Sequence, residues 1–238
     1  MDPLTFGLAS LVVAAGAALQ GAIGFGLGVF SVPLLLLFAP ALVPGPLLAA
    51  SVLLTVLLAH HDRAGINWRD LLWALSGRTV GIACATALLA TVSSPALALW
   101  SGSLVLFAVA LSASGLHVPP APRSLLAAGL LSGVLGTAVS IGGPPIALVY
   151  QHETGARLRG TLAAFFLIGV TMSLAGLRVA NRFGATELRL SAYLLPGVLV
   201  GFLVSRRAAH FLDRGYARPA ILTISALSSI LVILRALQ

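Results

Sequence analysis

Ten apolar stretches follow one another along this chain, at about 4–20, 23–39, 42–59, 71–90, 96–114, 123–139, 143–152, 160–178, 188–205 and 219–237. Most are near the ~20 helical residues that cross a bilayer. Only 8% of the 238 residues are charged and 59% are apolar. A soluble domain carries about a quarter charged residues. Too little charge is present to coat a globule, and too much apolar surface to bury in one. No long stretch alternates apolar with polar residues, and aromatics make up 7%. That excludes an outer-membrane barrel, whose strands repeat every second residue. The expected fold is an all-α polytopic membrane protein with eight to ten crossings.

The net charge of +8 resembles a nucleic-acid signal, but its distribution argues otherwise. All 14 basic residues are Arg, spread over the joints between apolar stretches. Basic loop ends are what the positive-inside rule gives an inner-membrane protein. The absence of Lys beside abundant Ala, Leu, Gly and Arg fits a GC-rich bacterial genome. No basic region precedes the first apolar stretch, so no cleavable signal peptide is expected. The single Cys84 lies inside an apolar run, which excludes a disulfide framework or a Cys-rich metal site.

Two stretches are unlike the rest. Residues 23–39 open in a run of glycines and contain Pro33, and residues 143–152 cover only about half a bilayer at ~1.5 Å per residue. With a shift of 112, Gly21 falls on Gly133, Gly24 on Gly136, Pro33 on Pro145 and Leu34 on Ile146. Gly77-x-x-x-Gly81 likewise answers Gly197-x-x-x-Gly201 at a shift of 120. These correspondences predict a duplication. The halves are 1–118 and 119–238, each with about five helical segments, and broken or half-helices lie at 20–39 and 133–152. If both broken regions turn back to their side of entry, the halves are inverted. The loops at 60–70, 115–123, 152–160 and 205–218 then share one face with nine Arg, against four on the other. The nine-Arg face is expected to be cytoplasmic and both termini periplasmic.

The chemistry concentrates at the two broken regions. One reads Gln20-Gly21-x-x-Gly24-Phe25-Gly26-x-Gly28, then Ser31 and Pro33. The other reads Gly136-Thr137-x-x-Ser140-Ile141-Gly142-Gly143-Pro144-Pro145. Proline removes a backbone donor and clashes with the preceding turn. Irregular backbone at membrane depth survives only where protein or an aqueous cavity satisfies it. Secondary transporters place their substrate there, between inverted repeats. Helix N-termini suit an anion through their free N–H groups and partial positive charge. The alternative is that the glycines merely let helices pack closely.

The pair GAIGFGLGVFSVPLLLLF and GTAVSIGGPPIALVYQ, one per half, resembles the TauE/SafE sulfite-exporter family, also called the toluene-sulfonate uptake permeases. The likeness extends over nearly the whole chain. It implies a secondary transporter, not an enzyme, that moves sulfite, sulfonates or sulfoacetate-like anions across the bacterial inner membrane, with export as the expected direction. It implies no cofactor and no metal. The partners are a small organic or inorganic sulfur anion and the lipid bilayer, with a homodimer admitted. Carried onto this sequence, the substrate positions are Gln20, Gly24, Gly26, Ser31, Thr137, Ser140, Gly142 and Gly143. Gly28, Pro33, Pro144 and Pro145 are the expected helix breaks. The first half lacks the second Pro of the Gly-Gly-Pro-Pro form.

Arg78 stands about eight residues inside the stretch 71–90. A charge within a span is a functional hypothesis by default, and a guanidinium binds an oxyanion in bidentate fashion. Two readings are open: Arg78 is a substrate partner facing a cavity, or it snorkels to the interface. His60-His61-Asp62-Arg63 has metal-ligand chemistry but reads as a solvated loop. Gln151 is a candidate for the cavity, with His152 and Glu153 interfacial. Ser112 and His117 are too close in sequence for an intramembrane serine protease, which needs nucleophile and base on separate helices. All six acidic residues lie in or beside loops, so no carboxylate proton relay is expected. An anion channel and, more remotely, an intramembrane enzyme are the competing functions.

Overall fold

A computed structural model describes residues 2–91, 94–116, 118–150, 153 and 155–212. They form ten α-helices: α1 (Pro3–Ile23), α2 (Leu27–Phe38), α3 (Gly45–His61), α4 (Trp68–Thr91), α5 (Ser94–Ala113), α6 (Pro122–Val139), α7 (Gly143–Val149), α8 (Gly155–Val179), α9 (Ala185–Ala192) and α10 (Leu195–Leu212). No strand occurs among the described residues. Short 3₁₀ turns at Pro40–Leu42 and Arg63–Gly65 flank α3. The stretch 219–237, and with it the C-terminal part of the topology, lies outside the described residues, as do Gln151, His152 and His117.

The apolar stretches do not correspond one for one to long apolar helices. Among the described residues, four helices are long and apolar enough to span: Pro3–Ile23, Trp68–Thr91, Pro122–Val139 and Arg157–Val179. A fifth candidate is the pair α9 and α10, bent by 46°. The stretch at 188–205 is therefore two helices rather than one. Pro196 accounts for the bend, because it has no N–H to bond the preceding turn and disfavours helical geometry in the residue before it. The helices α2 and α7 are returning arms, not crossings. Leu27 packs on Gly16, and four residues on the Ser31 hydroxyl donates to the Val12 carbonyl at 3.3 Å, so α2 folds back along α1. Ile146, Val149 and Tyr150 of α7 join Leu71 and Leu125, near the starts of α4 and α6, in one apolar cluster.

Hairpins of this kind sort the loops. One end of the bundle holds the Asp62–Arg159 ion pair (3.3 Å), the Asn67 N–H donating to Thr161 Oγ1 (2.9 Å), and Gly21 against Ser205 and Leu58. The other end holds Phe6 stacked on Tyr193 (4.2 Å between centroids) and Arg182 Nε donating to the Leu89 carbonyl (3.3 Å). This grouping agrees with the arginine count. Asp62 is not in a solvated loop: it is buried beneath Arg159. No group of three metal-ligating side chains occurs among the described residues.

The tightest packing joins the two halves crosswise. Helix α4 lies along α6, and α1 lies along α10. A Cβ on Gly77 or Gly81 would strike the carbonyls of Leu126 or Leu130, and one on Gly197 or Gly201 would strike those of Ser10 or Ala14. Each Gly-x-x-x-Gly helix thus lays its backbone directly on the first helix of the other half, the small-residue packing that membrane interiors favour. The outward faces stay apolar, with Leu72, Val80, Leu199 and Leu203 exposed. Gly81→Leu should destabilise the fold by about 3 kcal/mol through overpacking. Gly7 has nothing within 4 Å of a Cβ, so Gly7→Ala should be neutral or slightly stabilising. Thermal unfolding of the detergent-solubilised variants checks both.

Candidate functional site

The first helix break lies at Gly24–Gly26, upstream of the expected positions. Gly24 (φ 89°) and Gly26 (φ 140°) take backbone geometries that glycine adopts readily. Gly28 sits in the first turn of α2, and Pro33 lies inside that helix without interrupting it. In the second half, α6 ends at Val139 and Ser140 takes the left-handed conformation (φ 60°) before α7 starts at Gly143. Pro144 and Pro145 occupy the first turn of α7, where a missing N–H costs nothing. Residues 123–152 are thus not one continuous helix. The starts of α2 and α7 lie 116 positions apart, as do the left-handed residues Gly24 and Ser140. The sequence shift of 112 matched packing glycines and is one helical turn short, because what defines each break is the residue that closes the helix before it.

The two breaks meet. A Cβ on Gly28 would collide with the Ser140 carbonyl, and one on Gly143 would lie 3.2 Å from Phe25. Where they meet, a small cavity opens, lined by Gln20, Gly26, Gly28, Arg78, Ser140, Gly142 and Gly143. Phe25, Leu27 and Val29 complete that side, and α3 and α8 close the other with Ser51, Thr55, Phe166 and Val170. Six of the nine expected substrate positions therefore share one cavity. Gly24 instead packs on Leu162, Ser31 bonds to α1, and Thr137 pairs with Ser173 at 2.9 Å.

Arg78 is the centre of the wall. It is the eleventh residue of α4, about 15 Å along the helix at 1.5 Å per residue. Its exposure is 1%, so it does not snorkel. Nη1 donates to Ser132 Oγ (3.3 Å), and that hydroxyl donates to the Gly142 carbonyl of the break (2.6 Å). The guanidinium carbon lies 4.5 Å from the Phe165 ring centroid and 5.6 Å from that of Phe166, within cation–π range. A Cβ on Gly169 would overlap the guanidinium, so this glycine makes its seat. Nε has no hydrogen-bond partner.

No carboxylate balances that charge among the described residues. Asp62 pairs with Arg159 and Glu153 with Arg157 (3.7 Å). Asp70 accepts from Asn67 Nδ2 (2.6 Å), Glu187 from the Gly184 N–H (2.7 Å), and Asp2 from the Thr5 N–H (2.7 Å). A buried unpaired cation is costly, and here its one hydrogen-bond partner is a neutral hydroxyl.

The hydroxyls at the cavity wall, Ser140 of the expected ligand positions and Ser51 and Thr55 besides, are committed elsewhere. Ser140 Oγ donates to the Pro44 carbonyl (3.0 Å), and Ser51 and Thr55 donate to carbonyls of their own helix. Gln20 accepts from the Leu27 N–H with Oε1 (3.3 Å), which leaves its Nε2 hydrogens for a ligand. Arg78 and the Gln20 amide are therefore the side-chain donors at the wall, beside the Gly28 backbone at the start of α2. The Ser51-x-x-x-Thr55 spacing was a visible sign that α3 has a polar face, whereas nothing in the sequence singled out Gly169 or Phe166. Thr137→Ala should leave anion affinity unchanged and lower stability by about 1–2 kcal/mol, because it orphans the Ser173 hydroxyl. Ligand titration and thermal unfolding on the same preparation check the two halves of that expectation.

No curated protein and no solved structure matches the chain. A family model does, the sulfite exporter TauE/SafE, over residues 8–232. That match takes in both helix breaks, Arg78 and every helix that lines the cavity, so a multi-pass membrane architecture and the family's motifs coincide in one chain. The protein belongs to the TauE/SafE sulfite-exporter family.

Proposed function

We propose that the chain is a secondary transporter that exports small sulfur-containing anions, of the sulfite, sulfonate or sulfoacetate type, across the bacterial inner membrane. One observation carries this reading: Arg78 lies buried at mid-helix with no carboxylate partner among the described residues, on the wall of the cavity where the two helix breaks meet. An oxyanion there would neutralise the guanidinium and take hydrogen bonds from the Gln20 amide and the start of α2. The helix breaks let backbone approach the ligand closely, and the apolar walls from Phe25, Phe166 and Val170 exclude water.

Access alternates, on this reading, between inverted halves 1–118 and 119–238, with the arginine-rich loops cytoplasmic and the N-terminus periplasmic. The crosswise packing refines the moving parts. Because α4 is held on α6 and α1 on α10 by backbone contact, these crossed pairs travel as bodies, rather than one sequence half against the other. The α2 and α7 arms lie between them.

Two measurements test the reading. In proteoliposomes, a panel of sulfite, thiosulfate, sulfonates and carboxylates should show saturable anion uptake with counterflow. Movement of only apolar or cationic solutes would sink the proposal, and non-saturating flux would make it a channel. In detergent, sulfite or methanesulfonate should raise the unfolding temperature of the wild type, as any ligand of the folded state does. Arg78→Ala should weaken that affinity by roughly 100-fold, the worth of a charged hydrogen bond. Arg78→Lys should restore only part, because the planar fork is lost.

A further inference from the structure

The charge on Arg78 bears on the empty carrier as much as on the loaded one. A guanidinium does not release its proton in a protein, so the vacant cavity always holds one positive charge. The start of α2 adds partial positive charge at the same wall. Among the described residues, nothing else lining the cavity can cancel it: the other polar side chains there are Gln20, Ser51, Thr55 and Ser140, none of which ionises. The acidic side chains that the structure describes are engaged elsewhere, at helix caps and loop ion pairs. The Phe165 and Phe166 rings attenuate the charge but do not neutralise it.

The guanidinium is only 1% exposed, so the sole screening it has is that of water in the open cavity beside it. To change sides, the cavity must pass through a state closed at both ends, where that screening is withdrawn. An unpaired cation is then strongly disfavoured, whereas a cation paired with an anion is not. No internal carboxylate among the described residues is placed to swing in as a substitute.

We infer that the protein is an obligate anion exchanger: the cavity reorients only when an anion occupies it, so each exported anion is replaced by a small anion from the opposite compartment. This rests on the transport reading above and adds its mode of coupling. The counter-substrate is defined by chemistry, a small anion that fits the same guanidinium.

The test is efflux from proteoliposomes loaded with ³⁵S-sulfite, with the membrane potential clamped by potassium and valinomycin. The outside medium holds either unlabelled sulfite or potassium polyglutamate, a polyanion too large to enter. Efflux should be at least ten-fold faster into sulfite. Equal rates into the two media would overturn obligate exchange while leaving transport intact. Efflux no faster than from protein-free liposomes in both media would overturn the transport reading itself. Arg78→Gln, which removes the charge, should release the empty carrier. At a sulfite load high enough to offset its weaker binding, efflux into polyglutamate should rise above the protein-free rate and approach that into sulfite. Efflux at the protein-free rate in both media would overturn the release of the empty carrier. A ten-fold ratio retained in Arg78→Gln would overturn the assignment of coupling to Arg78.

Discussion

A guanidinium seated halfway along an apolar helix sets the terms for the structure around it. Among the described residues Arg78 has no acid to pair with, and its surroundings are arranged to tolerate it. Gly169 gives up its side chain to make room, two phenylalanine rings cover its faces, and Ser132 takes one of its hydrogens. Through Ser132 the charge is tied to the carbonyl of Gly142, and so to the second helix break. The break itself presses against Gly28 of the first. One side chain on α4 is thereby coupled to both irregular segments, within two hydrogen bonds and one backbone contact.

Sequence reasoning reached this region by chemistry rather than by geometry. The glycines and prolines at 20–39 and 133–152 stood out because helix breakers at membrane depth need a reason, and both segments do line the cavity. Their internal layout was less legible. Pro33 was read as a break and lies within α2, because Phe30 and its neighbours already bond back to Gly26 and the helix continues past the missing donor. Ser31, Thr137 and Ser140 carry hydroxyls in suggestive positions, yet each has a backbone or hydroxyl partner that only the fold supplies. Which way a small polar side chain turns is decided by its neighbours in space, and those come from α1, α3 and α8.

The same limit explains Arg78. Counted from the apolar stretch, it stood near an interface and snorkelling was open. The helix begins earlier, at Trp68, because Trp68, Arg69 and Asp70 form its first turn despite their polarity. Three residues of added helix move the charge to the middle of the span. Apolar stretches do not translate one for one into crossings, for a related reason. An apolar stretch records burial, and a returning arm such as α2 or α7 is buried as thoroughly as a span.

The crosswise pairing of α4 with α6 and α1 with α10 also has a consequence for how the chain is made. The partner of α4 is encoded some fifty residues later, and that of α1 almost two hundred. When the first half has entered the bilayer, the glycine face of α4 and the Ser10–Ala14 face of α1 still lack the helices they pack on. Helix α6 covers one as soon as it arrives, while α1 waits until α10 has been synthesised. The α1–α10 contact can close only after the α4–α6 contact can, and the two halves of the chain complete each other instead of folding apart.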